Sequence, residues 1–128
     1  MADDIWYSFP DGYQPKFVDI MSGPNMPVAT ALHYLGWQVW AIDWTLCPQH
    51  DLNSSAFRNE VEQACAEADG IMIAMHCGSF SRARERPIPG HPNAPQPLRS
   101  REWPEGLPGL APDVQQEVDK ANALAKWT

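Results

Sequence analysis

At 128 residues, with 44% hydrophobic side chains and six Trp, the chain is long enough for one domain with a single core and short for a complete doubly wound enzyme. Its net charge of −7 excludes wholesale coating of nucleic acid, although five of the nine basic residues (Arg82, Arg84, Arg86, Arg99 and Arg101) fall in one segment with only Glu85 among them. Three cysteines (Cys47, Cys65 and Cys77) with no CxxC pair exclude a disulfide framework and a zinc signature, so reduced thiols are expected.

In chain order, residues 1–15 read as an N-terminal extension with no basic n-region and no apolar h-region. No window approaches the roughly 18 apolar residues needed to span a bilayer, so a cytoplasmic protein without a membrane partner is expected. Phe17 to Met21 reads as a buried strand. Ser22-Gly23-Pro24-Asn25 then forms a turn, and Pro27 suits a first helical position because its missing N–H is not needed there. A helix from Val28 to Leu35 follows, with Val28, Ala31, Leu32 and Leu35 on its apolar face and Gly36 as its left-handed stop.

Trp37 to Asp43 is a second strand, rich in β-favouring side chains and closed by an acid. After a loop, Asn53 or Ser54 caps a helix whose face is marked by Phe57, Val61, Ala64, Cys65 and Ala68, ending at Asp69-Gly70. Ile71 to Met75 is the third strand, and Cys77 lies just past its tip. Residues 86–112 hold eight Pro and no periodicity, so they read as an irregular excursion. Pro112 opens a last helix, over 113–128, with Val114, Val118, Ala121 and Ala125 on one face.

Two helices between three apolar strands imply right-handed crossovers and one parallel sheet. The expectation is therefore a single α/β domain, a Rossmann-like three-layer sandwich with a short parallel sheet whose core spans 16–85. Its carboxyl rim would gather Ser22, Gly23, Asp43 and Cys77, the place where open α/β sheets bind ligands. A helix N-terminus behind a Gly turn attracts anions, and an acid ending the second strand suits a ribose diol. Trp44 either covers an adenine ring or packs as an ordinary aromatic.

Asp19-Ile20-Met21-Ser22-Gly23-Pro24 resembles the D-L-F-S-G-x-G opening of DNA cytosine-5 methyltransferases, a branch of the class I S-adenosylmethionine-dependent methyltransferases. Cys77-Gly78-Ser79-Phe80-Ser81 resembles their C-Q-x-F-S segment, and motif order and spacing from Phe17 to Arg84 both fit. The resemblance implies S-adenosylmethionine as cofactor. Its methionine end would meet the motif of Asp19, Ser22 and Gly23, its ribose Asp43, and its adenine Asp51. It also implies Cys77 as the nucleophile that attacks cytosine C6. Asn25 and Met26 stand where that family has later glycines, His76 replaces the Pro before the Cys, and Gly78 replaces the Gln after it.

Arg82 and Arg84 are candidate contacts to a nucleic-acid backbone, with a solvated loop paired to surplus carboxylates as the alternative. A cysteine-phosphatase loop needs five residues between Cys and Arg, whereas Arg82 follows Cys77 after four and Arg84 after six. His33, His50 and His91 lack metal spacing, so no metal is expected. The sheet is expected to be incomplete relative to a full methyltransferase, with isolated activity absent and a homodimer or complementary subunit covering its edges. A catalytically inactive remnant acting as a protein-interaction module is the alternative.

Overall fold

The computed structural model describes residues 12–128. Residues 1–11 of the N-terminal extension lie outside the described residues. The described chain falls into two compact units with the boundary between Ala74 and Met75. The segment 75–85, read from the sequence as the end of the core, belongs with the Pro-rich excursion and the last helix.

The first unit is α/β. β1 (Lys16–Ile20), α1 (Pro27–Tyr34), β2 (Gln38–Ile42), α2 (Ser55–Glu67) and β3 (Gly70–Ile73) alternate along the chain. The strands form one parallel open sheet in the order β2-β1-β3. β1 is central because its side chains can be buried on both faces: Val18, Asp19 and Ile20 are all buried, and Ile20 pairs in register with Ile42 on one side and Ile73 on the other. Since β2 and β3 flank β1 on opposite sides, right-handed connections put α1 and α2 on opposite faces of this small Rossmann-like layer. The core is built from Val18, Ile20, Met21, Ala29, Ile42, Leu52, Phe57 and Val61.

The helix ends follow local chemistry. Ser54 caps α2 by accepting from the Phe57 N–H (3.4 Å), and the face expected from Phe57 to Ala68 is the one turned inward. α1 closes in a Schellman arrangement: Gly36 N–H donates to the His33 carbonyl and Trp37 N–H to the Leu32 carbonyl, both at 3.0 Å. Gly36 has φ 89°, the left-handed value expected of it. The buried face of α1 differs from expectation. Ala29 is buried and Val28 and Leu32 are half-buried, while Ala31 and Leu35 are exposed. The cause is at its N-terminus, where the Ala29 N–H bonds the Asp19 carboxyl and turns that side of a two-turn helix toward the sheet.

The second unit holds two 3-10 turns (Gly78–Phe80 and Arg82–Glu85), the irregular segment and α3 (Pro112–Trp127). Val118 of α3 is fully buried and packs over Gly106, where an added Cβ would lie 2.8 Å from Val118 Cγ1. Leu98 is buried, and its carbonyl accepts from Leu107 N–H at 2.9 Å. No helix of the described residues is long and apolar enough to cross a membrane.

Candidate functional site

The sheet delivers the ends of β1 and β2 to one rim, where the chain ties them together. Ser22 N–H extends the pairing by donating to the Ile42 carbonyl (3.1 Å), and Gly23 N–H donates to Asp43 Oδ2 (3.0 Å). Gly23 sits at φ 74°, a conformation that glycine adopts without strain, and its carbonyl accepts from Met26 N–H across the Pro24-Asn25 turn. Met21 (φ 59°) and Met26 (φ 45°) hold the same left-handed region without that freedom, so this connection stores strain.

Asp43 is buried, and both of its carboxylate oxygens are engaged. Besides Gly23, its Oδ1 accepts from Thr45 N–H (2.9 Å) and Thr45 Oγ1 (2.5 Å). Its main chain is held as well: the Asp43 N–H donates to His50 Nδ1 (3.3 Å), and its carbonyl accepts from Leu46 and Cys47 N–H. His50 stacks on Phe57 (5.4 Å between centroids, 12° between planes), and Trp40 meets both rings edge-on. Asp43 is thus a bracket that fixes the geometry of the rim, its carboxylate accepting from Gly23 and Thr45.

Past this bracket the loop opens into a depression of about 560 Å³ lined by Trp44, Thr45, Pro48, Asp51 and Asn53. Trp44 is 65% exposed, so its indole face is available for stacking. Asp51 Oδ1 accepts from both the backbone N–H and the side-chain amide of Asn53 (2.9 and 3.1 Å), which fixes the carboxylate at the depression. An aromatic face beside a fixed carboxylate suits a flat base bearing an amino group.

Asp19 is 2% exposed on β1, and its Oδ2 is the buried side-chain oxygen without a hydrogen-bond partner among the described residues. Burial raises its pKa above the ordinary carboxylate value, opposed by the bond from Ala29 N–H. The α1 N-terminus is accordingly a poorer anion cradle than its sequence implies, since Pro27 has no N–H and Ala29 donates to Asp19.

The remaining candidates lie in the second unit. Cys77 is an exposed free thiol whose carbonyl accepts from Phe80 N–H (3.0 Å), closing the first 3-10 turn. Arg82 is exposed and bonded to Glu85 (3.4 Å). Arg84 is engaged within its own unit: Nε donates to the Gly78 carbonyl (2.6 Å), Nη1 to the Gln96 carbonyl (3.3 Å), and Nη2 lies 3.9 Å from Glu117. It acts there as a structural clamp.

Three residues carry more of this architecture than their sequence context signals. Thr45 and His50 hold Asp43, and Arg99 organises the second unit. An isolated His and one Arg among five have no local pattern to mark them; only the tertiary partners do. Comparison of the chain with known protein families, with curated proteins and with solved structures returns no match.

Proposed function

We propose that this chain is an S-adenosylmethionine-binding domain of the DNA cytosine-5 methyltransferase type, with the adenosine end of the cofactor held in the Trp44–Asp51 depression. The observation that carries this reading is that Trp44 and Asp51, each nominated from sequence, line one depression at the carboxyl end of β2. Beside it the Gly23–Asp43 bond ties the two strand ends expected to meet the cofactor. Trp44 would stack on adenine, Asp51 would accept from its exocyclic amine, and the turn at Ser22 and Gly23 would face the methionine end. The unpartnered Oδ2 of Asp19 is an acceptor suited to an ammonium group. The cofactor would supply an electrophilic methyl group, and Cys77 would supply the thiolate that adds to C6 of cytosine and is expelled again once C5 has taken the methyl group and lost its proton.

Calorimetry with S-adenosylmethionine and S-adenosylhomocysteine tests the cofactor reading. Saturable binding, weakened about tenfold or more in Trp44→Ala and in Asp51→Ala, is expected. No saturable heat, or affinity indifferent to both substitutions, would sink it. Asp43→Ala is a poor probe because it dismantles the rim. For Cys77 the measurement is trapping on DNA containing 5-fluorocytosine, with Cys77→Ser as control; absence of an adduct removes the nucleophile.

One observation favours the interaction-module reading: Ile71, Met72 and Ile73 of β3 are all exposed, at 46, 41 and 40%. β3 is also an edge strand that pairs with β1 alone among the described residues, so we infer that β3 takes a strand from a second copy or a complementary subunit, which would also bring cover for these side chains.

A further inference from the structure

The second unit contains a half-buried cation whose hydrogen-bond acceptors are all neutral. Arg99 donates from Nε to the Ser79 carbonyl (3.2 Å), from Nη1 to the Pro104 carbonyl (2.8 Å) and Asn122 Oδ1 (2.6 Å), and from Nη2 to Ser79 Oγ (3.1 Å). Its guanidinium carbon stands 3.7 Å from the centre of the Phe80 ring. Every acceptor is neutral, no carboxylate oxygen lies within ion-pair distance among the described residues, and one Nη2 proton has no acceptor. Burial pushes the guanidinium below its ordinary pKa, opposed by the charge of Glu105.

Beside this cation lies a depression of about 190 Å³ lined by Ser79, Phe80, Ser81, Glu85, Arg99 and Arg101, with Pro97, Leu98 and Ser100 completing its wall. Arg101 is exposed and makes no hydrogen bond or ion pair among the described residues. Ser79 Oγ accepts from Arg99 and Ser81 Oγ from Ala83 N–H (3.2 Å), so each hydroxyl retains its own proton to donate. Ser79 is 5% exposed, which holds its oxygen in place. Glu85 is the acid at the rim, and Arg82 Nε is bonded to it. Two guanidinium groups and two hydroxyls around one hollow match a tetrahedral oxyanion, for which the planar Arg fork is well shaped.

The charge distribution points the same way. Residues 75–128 hold seven of the nine basic residues and six of the sixteen acidic ones, so the surplus of acid belongs to the preceding residues. We propose that Arg99 and Arg101, with the hydroxyls of Ser79 and Ser81, form a binding site for a phosphate group, carried either by a free phosphate or by a polynucleotide backbone. The site lies wholly within residues 75–128 and does not depend on the methyl-donor reading, whose failure would leave it standing.

The test titrates the full chain with inorganic phosphate and, separately, with a short single-stranded oligodeoxynucleotide. The variants are Arg101→Gln and Glu85→Gln, both at exposed positions, with circular dichroism confirming that each folds. Arg101→Gln is expected to weaken phosphate binding about tenfold, and Glu85→Gln to strengthen it. If the oligonucleotide binds, inorganic phosphate displaces it, and Arg101→Gln lowers its salt slope by about one, the phosphate belongs to a backbone. If inorganic phosphate binds and the oligonucleotide does not, the site takes a free phosphate. Absence of binding by either ligand, or affinity unchanged by Arg101→Gln, overturns the proposal.

Discussion

Two buried carboxylates, one on β1 and one just past the end of β2, have opposite circumstances. Asp43 accepts from Gly23 and Thr45 through both oxygens, whereas Asp19 keeps one oxygen without a partner. Asp43→Ala would leave the Gly23 and Thr45 N–H groups without their acceptor, and a loss of about 2–4 kcal/mol in chemical denaturation is expected. A loss no larger than that of an exposed Asp→Ala change would contradict the bracket. Asp19 titrates against stability: its folded pKa is raised, so the folded state keeps the proton to higher pH than the unfolded chain. Its contribution is fully present below the ordinary value of 3.8 and is lost as pH rises through the higher folded value. Asp19→Asn should therefore flatten stability over the window just above 3.8, and a profile parallel to the native one would refute the assignment. Asp69 opposes it. Bonds from the Tyr13 hydroxyl and the Lys16 N–H hold its carboxylate below the usual range, so its contribution is present above the ordinary value and falls as pH drops through the folded one.

At the scale of elements, the capping chemistry was legible because it is local. Ser54 before Phe57, Gly36 after Leu35 and the face Phe57–Val61–Cys65 depend on residues within a turn of one another. The orientation of α1 was not legible, since the bond that selects its buried face comes from Asp19 on another element. β3 begins at Gly70 for a reason equally remote in sequence. Gly70 pairs with Phe17, and a Cβ there would lie 2.7 and 2.8 Å from the Phe17 ring, which already meets Trp37 edge-on. Gly70→Ala should cost about 1–3 kcal/mol, read as a shift in the denaturant midpoint. The companion change Phe17→Leu should relieve part of that loss, whereas simple additivity of the two would argue against the contact.

For the whole molecule, the informative contrast is between an acidic first unit and a second unit with nearly balanced charge. An anionic ligand would approach the second unit with less repulsion, in line with the phosphate site proposed there. The apolar strand β3 carries no charge and no Pro, so it lacks the usual protection of a sheet edge. Self-association through β3 is expected as a concentration-dependent mass in light scattering, abolished by Ile73→Lys. A chain that is monomeric at every concentration would remove the second copy as the partner and leave a complementary subunit to be sought.

The alternation of elements, their capping and the parallel α/β class could be read along the chain, because hydrophobic period, turn residues and crossover handedness act over short stretches of it. The sequence also brought forward Trp44 by its place after the second strand and, separately, Asp51 through the family resemblance. The folded arrangement set what the polar groups bond to. It gave the Asp43 carboxylate to Gly23 and Thr45, Arg84 to the Gly78 and Gln96 carbonyls, and Arg99 to Ser79 and Asn122. A hydrogen bond is fixed by distance and direction in space, and neighbours in space need not be neighbours along the chain.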